Sequence, residues 1–283
     1  MISNTGDDLE FFGLRVSPDV DIVIYALAGA VNPETGWGLR GDTFHVVEAL
    51  ERYGHERWFN LGDRDLATAL HRTELLRRGV PLHEVVADIA RAWGVTARIL
   101  PMSDDRIETQ VETPEGVLPF QEYMVRRGFE PEVLAVRFVG AETARPAPGV
   151  LEALAEADVI VFAPSNPFVS IGPILAVPGI REAVRAARGV RIAVSPIIAG
   201  EVVKGPAARM LRSLGHEVSA AGVARLYRGL IDVMVIDVAD ESLRPAVESL
   251  GMRCVVTNTL MVDEAAKAAL AGAVLAAARE GRA

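Results

Sequence analysis

The stretch from Asn4 to Gly29 constrains this chain most: N-T-G-D-D-L-E-F-F-G-L-R-V-S-P-D-V-D-I-V-I-Y-A-L-A-G. It carries two aspartate pairs, Asp7/Asp8 and Asp19/Asp21. Ser17 reads as a helix N-cap, Pro18 suits the first helical position, and Asp19 falls in the first turn. The run from Ile22 to Ala28 is apolar on all sides, which predicts a buried helix. Carboxylates at the start of such a helix, beside a second acidic loop, can hold a cation or a sugar-like hydroxyl. The plainer alternative is that Asp19 and Asp21 only complement the helix dipole.

A net charge of -9 argues against nucleic acid as the main partner. The single cysteine, Cys254, rules out a disulfide within the chain and reads as a small buried hydrophobe. No apolar run is long enough to span a membrane, so a cytoplasmic protein with no membrane partner is expected.

After Gly29 comes a loop rich in turn formers, in which Trp37 between two glycines is a stacking surface or simple loop packing. Asp42 reads as the N-cap of a helix over residues 43–53, and Asp63 as the cap of a helix ending at Gly79. Another helix is expected from Leu82 to Trp93. Asn60, Asp63, Arg64, Asp65 and Arg72 crowd this helical block, either as a binding patch or as salt bridges on a solvated face. A short strand over Ala97–Leu100 and a hairpin over residues 106–119 follow. A short helix is expected over Phe120–Arg127.

From Leu134 the pattern becomes strand and helix in alternation. Strands are expected over Leu134–Val139, Val159–Ala163, Val190–Val194, Val233–Asp237 and Arg253–Thr257. The helices cover roughly residues 148–156, 174–187, 206–214, 241–250 and 263–279. This implies an α/β fold with a parallel sheet, helices on both faces, and ligands at the carboxyl ends of the strands. Two proline-punctuated loops lie at such ends, P-S-N-P-F-V-S-I-G-P and S-P-I-I-A-G-E-V-V-K-G-P-A. Their amides and hydroxyls suit phosphate or ribose, with Ser165, Asn166, Ser195 and Lys204 as candidate contacts.

Taken in order, N-T-G-D-D, S-P-D-V-D, G-W-G, L-G-D-R-D-L-A-T, L-P-M-S-D-D, P-S-N-P-F-V-S-I-G-P and V-S-P-I-I-A-G cover nearly the whole chain. Together they resemble the 2-phospho-L-lactate transferase (CofD) family. That resemblance implies a Rossmann-like, mostly parallel sheet with helices on both faces and a helical and β-hairpin insertion at about 31–133, within one α/β domain of residues 1–283. It implies a homodimer and a magnesium-dependent step in the making of coenzyme F-420. A phospholactyl or phosphoenolpyruvyl group passes from a GDP-linked donor to the ribityl hydroxyl of the deazaflavin FO, and GMP leaves.

Carried over residue by residue, Asp7 and Asp19 are the expected magnesium ligands. Asp21 is the expected catalytic residue and an FO contact, with Asn60 as a second contact and Asp63 and Trp37 as further candidates. Ile22 departs from the threonine common after the second aspartate, and Asn60 stands where a basic residue also occurs. The family pattern opens with a strand, a G-G-x-G-x-x-K loop and a helix ahead of N-T-G-D-D. This chain lacks that unit, so weaker donor binding than in a form extended upstream is expected. Two other readings are a non-catalytic nucleotide-sugar-binding regulator and a Rossmann dehydrogenase.

Overall fold

The computed structural model describes residues 1–280. They group into two compact units, Met1–Pro131 with Val136–Val150, and Glu132–Ala135 with the chain from Leu151 onward. The first unit holds β1 (Ile2–Ser3), β2 (Leu9–Phe11), β3 (Leu14–Val16), α1 (Pro18–Leu27), α2 (His45–Glu51), α3 (Asp63–Arg77), α4 (Leu82–Ala92), β4 (Leu100–Pro101), β5 (Glu108–Thr113) and β6 (Gly116–Pro119), and most of β7 (Ala135–Val139).

β1 lies parallel to β4, with Ile2 opposite Leu100 and Ser3 opposite Pro101. The next residues form the acidic turn. β2 and β3 then fold back as a hairpin that the sequence reading missed, because its turn is Phe12-Gly13. Both turn residues have positive φ, 52° and 72°, a geometry that normally selects Asn-Gly. Phe12 holds it by ring contacts with Phe11 at 4.0 Å and His55 at 5.1 Å.

α1 differs from expectation in two ways. Ile24 and Tyr25 are buried, but Ala26 and Leu27 face outward, so the helix packs on one side only. Its buried face meets Val85, Val86 and Ile89 of α4. Ser17 precedes the helix without capping it by its side chain. Its hydroxyl donates instead to Asp8 Oδ2 at 2.7 Å.

The caps of α2 and α3 are exchanged. Asp63 is the first residue of α3, yet its carboxylate accepts from the amides of His45 and Val46 at the start of α2, at 3.1 and 2.9 Å, and from the Thr43 hydroxyl. Asp42 in turn accepts from the Arg64 amide at 3.0 Å, at the start of α3. Each aspartate therefore satisfies the orphan donors of the other's helix. Gly62 makes this possible, since a Cβ there would sit 2.1 Å from Asp42 Oδ2. Gly62→Ala should displace Asp42 and lower stability by about 1–2 kcal/mol, read as a lower urea midpoint. An unshifted midpoint would mean that Asp42 does not hold this helix start.

The expected helix over 120–127 is a five-residue π turn, Glu122–Arg126. β7 lies beside β5 in the sheet β6-β5-β7 and so does not join the parallel sheet, contrary to expectation.

The second unit continues with α5 (Val150–Glu156), β8 (Val159–Phe162), α6 (Ile171–Ala176), α7 (Ile180–Ala186), β9 (Val190–Val194), β10 (Ile197–Ile198), β11 (Glu201–Val202), α8 (Ala207–Ser213), α9 (Ala220–Leu226), β12 (Val233–Asp237), α10 (Arg244–Glu248), β13 (Arg253–Thr257) and α11 (Glu264–Glu280). A parallel sheet of order β13-β12-β9-β8 forms its core. Every residue of β12 is buried, as a strand covered on both faces requires. On one face Ile192, Val194, Val233 and Val235 pack against Leu270 and Val274 of α11. Cys254 is buried in β13, and burial pushes its thiol up to about 11, so it serves as a small apolar residue.

The helix expected over 174–187 is broken. Val177 is extended ahead of Pro178, and Gly179 turns the chain at φ 91°. The β10–β11 hairpin and α9 were not anticipated. Among the described residues no helix is long and apolar enough to cross a membrane.

Candidate functional site

The acidic turn is fixed by the main chain around it. The Gly6 amide donates to Asn4 Oδ1 at 2.8 Å, the Gly6 carbonyl accepts from the Thr109 amide at 2.7 Å, and Gln121 Nε2 donates to the Asp7 carbonyl at 3.2 Å. Asn4 then reaches α1, donating from Nδ2 to Asp19 Oδ2 at 2.8 Å. One short side chain thus links the acidic turn to the start of α1.

The four aspartates have different surroundings. Asp7 is buried, and among the described residues its Oδ1 and the buried Thr5 hydroxyl have no hydrogen-bond partner. Burial, and then the charge of Asp19, push the Asp7 carboxyl well above the usual range. Asp19 keeps part of its surface open, but its carboxyl is enclosed and is also pushed up by burial, with Asn4 opposing. Asp8 is tied to Ser17 and Arg15 through Oδ2, and burial raises it to about 6. Asp7 and Asp8 open onto a cleft of about 230 Å³ that Trp58, Arg106 and Gln121 also line.

Asp21, one turn into α1, makes a different contact. Its Oδ1 accepts from Arg72 of α3, whose side chain is 0% exposed. Arg72 also donates to the Arg15 carbonyl at 3.3 Å. Burial pushes the Asp21 carboxyl up and the Arg72 charge opposes it. Next to this pair is a second, narrow cleft, lined by Asp21, Asp65, Tyr25, Trp37, Phe59 and Leu61 among others. Trp37 is 40% exposed and forms one wall. The Tyr25 hydroxyl is turned to Thr68 at 3.0 Å.

Asp21 and Trp37 are thus brought to one cleft, together with Asp65, which the sequence reading left inside a polar cluster. The other two acceptor candidates do not line it. Asn60 is exposed and its Oδ1 accepts from Arg57 Nε at 3.0 Å. Asp63 is engaged with the start of α2.

In the second unit, Ser165, Asn166 and Ser195 follow the carboxyl ends of the neighbouring strands β8 and β9. Asn166 shapes its own turn, accepting from the Phe168 amide at 2.9 Å. Ser195 is buried, and its hydroxyl both donates to the Ile197 carbonyl and accepts from the Ile197 amide. These two side chains hold the loops in shape, which leaves main-chain amides and the Ser165 hydroxyl as the anion donors there. Lys204 is exposed, ahead of α8. Two buried carboxylates at the end of β12 escaped the sequence reading. Asp237 accepts from the Thr259 amide at 2.8 Å, and Asp240 from the Ala199 amide at 3.1 Å. Both lie at a strand end, which is the signal that could have found them.

A family profile described as 2-phospho-L-lactate transferase CofD matches residues 1–271. The chain belongs to the CofD family. A phosphoenolpyruvate transferase of Streptomyces griseus is 48% identical over 289 residues, spanning 100% of this chain and 91% of that one. A 2-phospho-L-lactate transferase of Methanopyrus kandleri is 45% identical over 279 residues, spanning 97% of this chain and 88% of that one. Among solved structures, a UPF0052-family protein of Bacillus halodurans matches with a TM-score of 0.60 at 17% identity, over 97% of this chain and 89% of that one. This last likeness concerns the fold, and it agrees with the mixed α/β architecture with a parallel sheet.

The magnesium that the family resemblance implies can be tested against the donor atoms. Among the described residues no three His, Cys, Asp or Glu side chains converge into a cage. Magnesium does not ask for one. It is usually held by one or two carboxylates, with water and substrate phosphates completing the shell. Asp7 and Asp19 repel each other, and one buried oxygen of Asp7 has no partner. That is the imbalance a divalent cation would relieve, so the residues fit the ion.

Proposed function

We propose that the protein transfers a phosphoenolpyruvyl or phospholactyl group from a GDP-linked donor to the ribityl hydroxyl of the deazaflavin FO, releasing GMP, in coenzyme F-420 biosynthesis. The observation that carries this reading is the cleft in which Asp21, fixed by Arg72, stands among Trp37, Tyr25, Phe59 and Leu61. Apolar and aromatic walls suit a flat heterocycle, and a fixed carboxylate suits a polyol. The names of the relatives supply the transferred group.

In this proposal Asp21 accepts a hydrogen bond from the acceptor hydroxyl and orients it toward the donor. Arg72 prevents the carboxylate from turning away. Asn60, outside the wall of that cleft, is proposed as a second FO contact, and Asp63 caps the start of α2. The amides of the Ser165–Asn166 and Ser195 loops, with Lys204, take the nucleotide. Asp7 and Asp19 would hold magnesium, which would supply neutralisation of the donor diphosphate and of the departing phosphate charge. Positioning and charge account for most of the catalysis in a substitution of this kind. The enzyme acts as a homodimer in this reading.

The test is incubation of the protein with FO, magnesium and each of the two GDP-linked donors, followed by mass analysis. The expected result is an FO adduct of the phospho-acid together with GMP. Release of GMP without an adduct, or failure of FO fluorescence to respond to the protein, would overturn the reading.

A further inference from the structure

The cleft beside α1 presents two carboxylates in unlike surroundings. Asp21 is bound through Oδ1 to Arg72, which is fully buried. A proton taken there would leave the guanidinium without its counter-charge. Asp21 is therefore fixed by its ion pair and presents its other oxygen as a hydrogen-bond acceptor.

Asp65 stands in no ion pair among the described residues. The Gly62 amide reaches its Oδ2 at 3.3 Å, and the Trp37–Gly38 loop closes over it, so that a Cβ on Gly38 would lie 3.8 Å from the same oxygen. Asp42 faces it from the loop before α2, and Asp21 and Tyr25 face it from α1. On its own helix, Arg64 turns its guanidinium over the Trp93 ring, 5.8 Å from the centroid. Burial, with the charges of Asp42 and Asp21, pushes the Asp65 carboxyl up to about 6, against the Gly62 amide and the Tyr25 hydroxyl, which hold it down. A base is most effective when it titrates near the working pH.

We propose that Asp65 is the general base of the transfer and takes the proton of the acceptor hydroxyl that Asp21 orients. This rests on the transferase reading above. The hydroxyl oxygen forms a bond to the donor phosphorus that carries the phospho-acid. Its O–H electron pair stays on that oxygen, and the proton passes to a carboxylate oxygen of Asp65. The bond from that phosphorus to the oxygen bridging to the guanosine phosphate breaks, and its pair leaves with GMP. Asp65 then gives its proton to water.

The test compares the parent with Asp65→Asn, Asp65→Gln and Asp21→Asn, scoring turnover from pH 5 to 8 and FO affinity by fluorescence titration. Glutamine at the third helical position preserves the capping box, so at least one neutral variant keeps α3 intact. Both Asp65 variants should lose about 100-fold or more in kcat, with FO affinity little changed. The parent rate should rise with pH through about 6, because the base must be unprotonated, and this limb should be shallower in both variants, leaving only what the raised Asp7, Asp8 and Asp19 carboxyls contribute. Asp21→Asn should mainly weaken FO binding. Parent-like kcat and an intact acid limb in both Asp65 variants would overturn the role of Asp65 while leaving the transferase reading in place. A parent that forms no FO adduct at any pH would overturn that reading, and this one with it.

Discussion

Arg72→Met should cost about 3–5 kcal/mol of stability, the usual consequence of removing one partner from a buried ion pair. The Arg72 side chain is 0% exposed, and that of Asp21 is 12% exposed, so water cannot take over the lost charge. Its positive charge also faces Asp8. Without it, two carboxylates share a poorly solvated pocket. The Arg15 carbonyl loses a donor as well, and with it part of the link between α3 and the β2–β3 hairpin. Adding Asp21→Asn should recover part of the loss, because the orphaned charge is then gone. The pair should therefore be strongly non-additive in a double-mutant cycle read by urea unfolding. Additive penalties would show that Asp21 and Arg72 do not depend on each other.

This pair also marks where the sequence stops being informative. The strands at Val190–Val194, Val233–Asp237 and Arg253–Thr257 were legible to the residue, the first two because a parallel strand inside the sheet is a nearly continuous apolar run, the edge strand from its β-branched residues. The start of α1 at Pro18 was legible from proline chemistry. What could not be read was partnership across distance. Arg72 and Asp21 lie 51 residues apart, and only one local sign was available: Arg72 falls on the stripe of Leu66, Ala69 and Thr73 that α3 buries. A lone arginine on such a stripe asks for a buried anion. The exchanged caps are the same problem in smaller form. Asp42 and Asp63 were each recognised as cap residues, but capping chemistry is indifferent to which helix supplies the amides. Asp65 was hidden by its position in the first turn of α3, where a carboxylate normally needs no explanation beyond the helix dipole. The Phe12-Gly13 turn was hidden because tertiary packing of Phe12 overrides its poor turn propensity.

The acidic turn leads to the second large effect. Asp7→Asn should make the protein more stable in the absence of divalent ions and nearly inactive in their presence. The buried Asp7 carboxyl faces Asp19 with one oxygen unpartnered. An amide there removes the like-charge repulsion and can donate a hydrogen bond. The gain should be on the order of 1 kcal/mol, or about 2–4 °C in Tm for a chain of this size. Turnover should fall by about 100-fold or more, as when a single stabiliser of transition-state charge is removed. Thermal melts with and without magnesium chloride distinguish the cause. Binding to the folded state alone raises stability by about 2.7 kcal/mol at a hundred times Kd. The parent melt should accordingly shift upward with magnesium, and the Asp7→Asn melt should not. Stripping the parent with EDTA should abolish turnover, and added magnesium should restore it. If the parent melt ignores magnesium while Asp7→Asn keeps its turnover, the repulsion between Asp7 and Asp19 serves no ion, and Asp19 only complements the start of α1.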